Sequence, residues 1–147
     1  MRWVEPARAQ TSGNHTVTVT VATITAVQVS SGSVNMSITG TGVVAGQDLM
    51  TVTDQTTNLL WGINSANRKI TVRTSLSSQT FTLRVVAVNP TQGTAAPEVT
   101  LTAVENDFLT NVGRSSGSCA IQYTGLALAS QGTGSDSHTI TFTVTTQ

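Results

Sequence analysis

The residues able to do chemistry are few and scattered. Histidine occurs twice, at His15 and His138, each at the start of an alternating stretch near one end of the chain. They could meet if those stretches pair, but two imidazoles without a third ligand make a poor zinc site. Gly134-Ser135-Asp136-Ser137-His138 sets Ser, Asp and His side by side. Triad members converge in space from separate segments, so this adjacency argues for nothing catalytic. No Gly-x-Ser-x-Gly elbow is present either. Glu105-Asn106-Asp107 offers oxygens to calcium but lacks the D-x-D-x-D-G spacing, and reads as a solvated turn. Gly40-Thr41-Gly42 has no following Lys-Ser/Thr and opens no helix, so it is not a phosphate loop. Cys119 stands alone, which rules out a disulfide within the chain. It shares parity with Ile121 and Tyr123 and reads as an inward-facing small hydrophobe. A bridge between molecules is the alternative in an oxidising compartment. Trp61 shares parity with Leu59 and Ile63, which places it in a core; exposed, it would stack on a sugar. Asn14-His15-Thr16 and Asn35-Met36-Ser37 match the N-glycosylation pattern. No catalytic residue, cofactor or metal is expected.

The elements that carry these residues are strands. In His15–Val29, HTVTVTVATITAVQV, valines at 17, 19 and 21 alternate with threonines at 16, 18 and 20. A period of two marks a strand with one buried face. From Val17 to Val29 the ribbon would span roughly 43 Å, about twice a common strand. Its apolar parity changes at Ile24 and Ala26, which predicts a bulge or a passage between sheets near Ala22–Thr23. Val34, Met36 and Ile38 predict a second strand that forms a hairpin with the first across Ser30–Ser33. Shorter strands are expected around Met50–Asp54, Leu59–Ile63, Arg68–Thr74, Phe81–Ala87, Val99–Ala103 and Cys119–Tyr123, and at Ile140–Val144. A bulge after Gly125 would bring Leu126 and Leu128 inward. Phe108, Leu109 and Val112 are apolar but aperiodic, as in a packed loop or short strand. Eight to ten strands without helical periodicity predict an all-β fold, an immunoglobulin-like or jelly-roll-like β-sandwich with a long N-terminal strand. Residues 1–13 form an extension, with Trp3 as the candidate anchor on a neighbour, and residues 14–147 form one domain.

Charge decides between function classes. Seven basic and seven acidic residues cancel, so there is no electrostatic footprint for nucleic acid. Charged residues make up 10% of the chain, while Thr occurs 28 times and Lys once. A surface wetted by hydroxyls rather than charges reads as secreted and assembly-prone. No apolar run approaches the length that spans a bilayer. Ala7-Arg8-Ala9 before Gln10 is similar to the end of a secretory signal, though no apolar stretch precedes it. From Gln10 to Gln47 no ionised side chain occurs, and after Arg114 only Asp136 is charged. An edge strand that is long, apolar on one face and uncharged invites pairing with another chain.

The stretch Thr16–Ile24 and the Thr-rich texture of the chain resemble donor-strand-complemented pilin and fimbrial subunits. The resemblance implies an extracellular filament in which an N-terminal strand is added to the next subunit. Val17, Val19, Val21 and Ile24 would be the donor residues and the chain itself the partner. Chaperone–usher subunits commonly carry a Cys pair and a penultimate Tyr, whereas this chain has Cys119 alone and ends Thr145-Thr146-Gln147. A different secreted β-fibre fits better. The alternatives are a cell-surface module that binds glycans through exposed aromatics such as Trp61, and a viral decoration protein.

Overall fold

A computed structural model describes residues 1–5 and 12–147. It shows an all-β sandwich. The strands are β1 (Thr25–Val29), β2 (Leu49–Ile63), β3 (Arg68–Thr74), β4 (Thr82–Val88), β5 (Thr94–Ala95), β6 (Val99–Thr100), β7 (Asn106–Thr110), β8 (Ser115–Leu128) and β9 (Ile140–Thr146). The one helical element among the described residues is a 3-10 turn at Ala129–Gln131. Two antiparallel sheets face each other, one ordered β1-β2-β8-β4-β6 and the other β5-β7-β3-β9.

The core lies between them. Leu59, Trp61 and Ile63 of β2, Cys119, Ile121 and Tyr123 of β8, and Val85 and Ala87 of β4 point inward from the first sheet. Ile70, Val72, Phe108, Leu109 and Phe142 meet them from the second. The rings of Phe108 and Phe142 make an edge-to-face contact, centroids 5.0 Å apart. Phe108 and Leu109 are both buried although adjacent, because the β3–β7 register shifts between Ile70 and Thr71. That bulge explains the aperiodic apolar run.

Several strands differ from their sequence signal. Met50–Asp54 and Leu59–Ile63 are one 15-residue strand, interrupted in register between Asp54 and Thr57. The bulge moves the inward set from even to odd positions, so a parity change that imitates a strand break is an extra residue in one strand. Gly125, by contrast, starts no bulge. The β2–β8 register runs unbroken from Thr124 to Leu128, and Ala127 is buried while Leu128 is exposed. The hairpin after β1 is also absent. Val34, Met36 and Ile38 are half-buried and alternate with exposed Asn35, Ser37 and Thr39, but the segment is in no ladder. Val34 and Met36 pack on the core instead. A Cβ on Gly125 would lie 3.0 Å from the Met36 Cε and 3.1 Å from Val52 Cγ1. Met36 therefore packs over Gly125 of the first sheet, and the segment does not extend the sheet's edge.

Candidate assembly interface

The 15–29 ribbon divides at Ile24. Its second part is β1, which pairs with β2 in the register Thr25↔Ile63, Val27↔Trp61, Val29↔Leu59. Ser30 extends this contact: its N–H donates to the Asn58 carbonyl at 2.9 Å, and its hydroxyl accepts from the Asn58 N–H at 2.8 Å. Its first part has no partner strand among the described residues. Every residue from Ser12 to Ile24 is exposed and outside any ladder. Val17 is 72% exposed, Val19 82% and Val21 70%. Ile24 is 48% exposed and sits at the root of this arm. Neither a bulge nor a change of sheet occurs at Ala22–Thr23, contrary to the parity argument. Intramolecular pairing simply ends there.

Asn64 makes the root. Its backbone N–H donates to the Ile24 carbonyl at 3.1 Å. Its side-chain amide accepts from the Ile24 N–H at 2.7 Å and donates to the Ala22 carbonyl at 2.7 Å. A side-chain amide offers the same donor and acceptor as a peptide group, so it can close a ladder where the strand β2 has turned away. The sequence held no signal for this clip beyond a turn-forming Asn.

The other residues singled out in the sequence are engaged separately. Trp61 is 4% exposed, and its Nε1–H donates to Ser115 Oγ at 3.0 Å. It is therefore core and no sugar platform. Asp136 accepts the N–H groups of Thr80 and Phe81 at 2.8 Å each. Partial desolvation raises its pKa, but these bonds and the nearby His138 outweigh it and hold the carboxyl below its ordinary value. His138 Nδ1 lies 2.9 Å from Thr74 Oγ1. Burial lowers the His138 pKa, opposed by Asp136. The Ser-Asp-His run is thus a loop clip, and His15 is on the exposed arm. Asp107 pairs with Lys69 at 2.8 Å across β7 and β3. Trp3 is exposed, and Ala7–Ala9 lies outside the described residues. Among the described residues no helix is long and apolar enough to cross a membrane, and no cluster of three or more His, Cys, Asp or Glu could hold a metal ion.

Cys119 is 3% exposed. Burial pushes its thiol up to about 11, against a smaller lowering by a hydrogen bond with the Leu59 backbone. Burial, then the Asp54 carboxylate, pushes Tyr123 up to about 12. Both acids keep their protons in the folded chain at pH values where the unfolded chain releases them. Their contribution to stability is complete below pH 9 and is lost as pH rises toward 11 and 12. Thermal melts are expected to fall by roughly 5 °C or more between pH 8 and pH 11. At pH 8 a thiol reagent should label Cys119 no faster than the chain unfolds. Labelling within seconds in native buffer would mean the site is open.

No family model, no curated protein and no solved structure matches this chain.

Proposed function

We propose that this chain is a structural subunit of an extracellular filament or pilus-like fibre, assembled by β-strand addition between copies of itself. The single observation that carries the reading is the division at Ile24. One part of a continuous, uncharged Thr/Val-rich ribbon is zipped into its own sheet, while the other part lies outside any ladder with three valines at 70–82% exposure. A strand with unpaired backbone groups and an apolar face is half of a sheet edge, and a second molecule supplies the rest. Burying Val17, Val19 and Val21 would contribute about 1.5–3 kcal/mol each as an upper value, and ladder hydrogen bonds would set the register. The role needs no hydrolysis and no cofactor. The glycan-binding alternative loses its named aromatic, since Trp61 is interior.

The test replaces Val17, Val19 and Val21 with Asp together. The melting temperature should stay within about 2 °C of the parent, since exposed substitutions away from packed features change stability little. Sedimentation and electron microscopy should show polymers of the parent and monomers of the variant. A parent that stays monomeric at high concentration removes the filament.

A further inference from the structure

Beyond the donor, the geometry points to an acceptor: we infer that the arm of one copy pairs with the open edge of β2 at Leu49–Thr53 in a second copy, stacked end to end. This rests on the strand-addition reading and adds where the added strand goes.

The first observation is a gap. β2 has 15 residues, and β1 covers only its last five, Leu59–Ile63, with Ser30 opposite Asn58. On the β1 side, residues 49–57 have no neighbouring strand among the described residues. Alternate residues along it aim their backbone groups into that gap. On β2 the residues with outward side chains direct N–H and C=O toward β1, as Asn58 does to Ser30. Before the bulge the outward residues are Leu49, Thr51 and Thr53. The β8 side agrees, because Leu128, opposite Leu49, turns its N–H away from β2 to the Gln131 side chain. The Leu49–Thr53 edge carries no charge, so nothing there repels an added strand.

The second observation is alignment. β1 runs antiparallel to β2, and the arm leaves β1 at the Ile63–Asn64 end, the end opposite Leu49. Extended straight from β1, the arm of one copy reaches the Leu49 end of a copy placed beyond it. There it meets β2 in the same antiparallel sense and on the same line as the resident β1. Thr16–Ile24 spans roughly 30 Å and the Leu49–Thr53 edge about 17 Å, which leaves roughly 13 Å to cross the end loops.

The third observation is parity. Thr25, Val27 and Val29 stand opposite the inward residues Ile63, Trp61 and Leu59. Alternation along an extended chain puts Val21, Val19 and Val17 on that same inward face. In the second copy, the inward residues beside the gap are Met50 and Val52, both half-buried. With residues 16–20 against 53–49, Val19 and Val17 meet Met50 and Val52 inside, and Thr18 and Thr16 meet Thr51 and Thr53 outside. Such a contact is head-to-tail and generates an open fibre whose repeat runs along the strands.

Edge β9, Ile140–Thr146, is the competing acceptor, and the experiment separates the two. A copy carrying Thr18→Cys is mixed under mild oxidation with a copy of different mass carrying Thr51→Cys, Thr53→Cys or Thr141→Cys. Facing residues on adjacent strands lie within disulfide reach, and Cys119 is buried. Heterodimers with Thr51→Cys or Thr53→Cys, and at least tenfold fewer with Thr141→Cys, are expected. Thr51→Pro, which removes only an edge-facing N–H, should give a chain that donates its arm to the parent but accepts none, and so terminates fibres. Cross-linking to Thr141→Cys alone, or none in a chain that still assembles, overturns the β2 acceptor and leaves strand addition standing. Absence of both cross-links and assembly overturns the two together.

Discussion

Deleting residues 1–21 is expected to leave a folded monomer that no longer assembles. The fold should survive because residues 12–21 lie outside every ladder and are exposed. The bonds that anchor the arm's root, from Asn64 to Ala22 and Ile24, remain in the shortened chain. Its melting temperature should match that of the full chain within about 2 °C. Association should be lost, because the deletion removes Val17, Val19 and Val21 and the free backbone groups between them. The shortened chain keeps the β2 edge, so an excess of it added to the full chain should occupy free arms and stop growth. Analytical ultracentrifugation reads both results. A shortened chain that polymerises as the full chain does would place the contact elsewhere. A shortened chain that unfolds would mean that the arm is structural.

The second large effect concerns the core. Trp61→Ala is expected to destabilise the sandwich by about 3–5 kcal/mol, the usual result of emptying a packed aromatic site. At this chain length that lowers the melting temperature by roughly 10 °C or more. The indole fills the space over Gly117, its cross-strand partner on β8. A Cβ on Gly117 would lie 2.6 Å from the indole Cζ2 and 2.7 Å from Thr91 Oγ1. Gly117→Ala should therefore also destabilise, by about 1–3 kcal/mol through overpacking. The indole N–H adds a relay, donating to Ser115, whose hydroxyl donates to the Val112 carbonyl at 2.6 Å. Chemical denaturation of both variants checks this. A change below about 0.5 kcal/mol for Trp61→Ala would be the result for a surface aromatic and would restore the sugar-stacking reading.

Period-two alternation was enough to read the all-β class and most strand positions. Ile70 and Val72, Val85 and Ala87, Cys119 to Tyr123, and Phe142 face inward as their spacing requires. Local side-chain chemistry fixes that, since each residue of a strand alternates sides whatever the strand pairs with. Pairing itself was not legible. Val34–Ile38 alternates as cleanly as β9 yet joins no ladder; its side chains Val34 and Met36 pack on the core, Met36 over Gly125, without backbone pairing. The parity changes near Asp54 and at Ile24 look alike in the sequence but have different origins. One is a bulge inside a continuous strand, and the other is where intramolecular pairing stops. The sequence alone determined that Thr16–Val29 is a ribbon with an apolar face and no charge. Only the tertiary structure decided that Thr25–Val29 is held while Val17, Val19 and Val21 are left free, because β2 turns at Asn64 and has no further backbone to offer them.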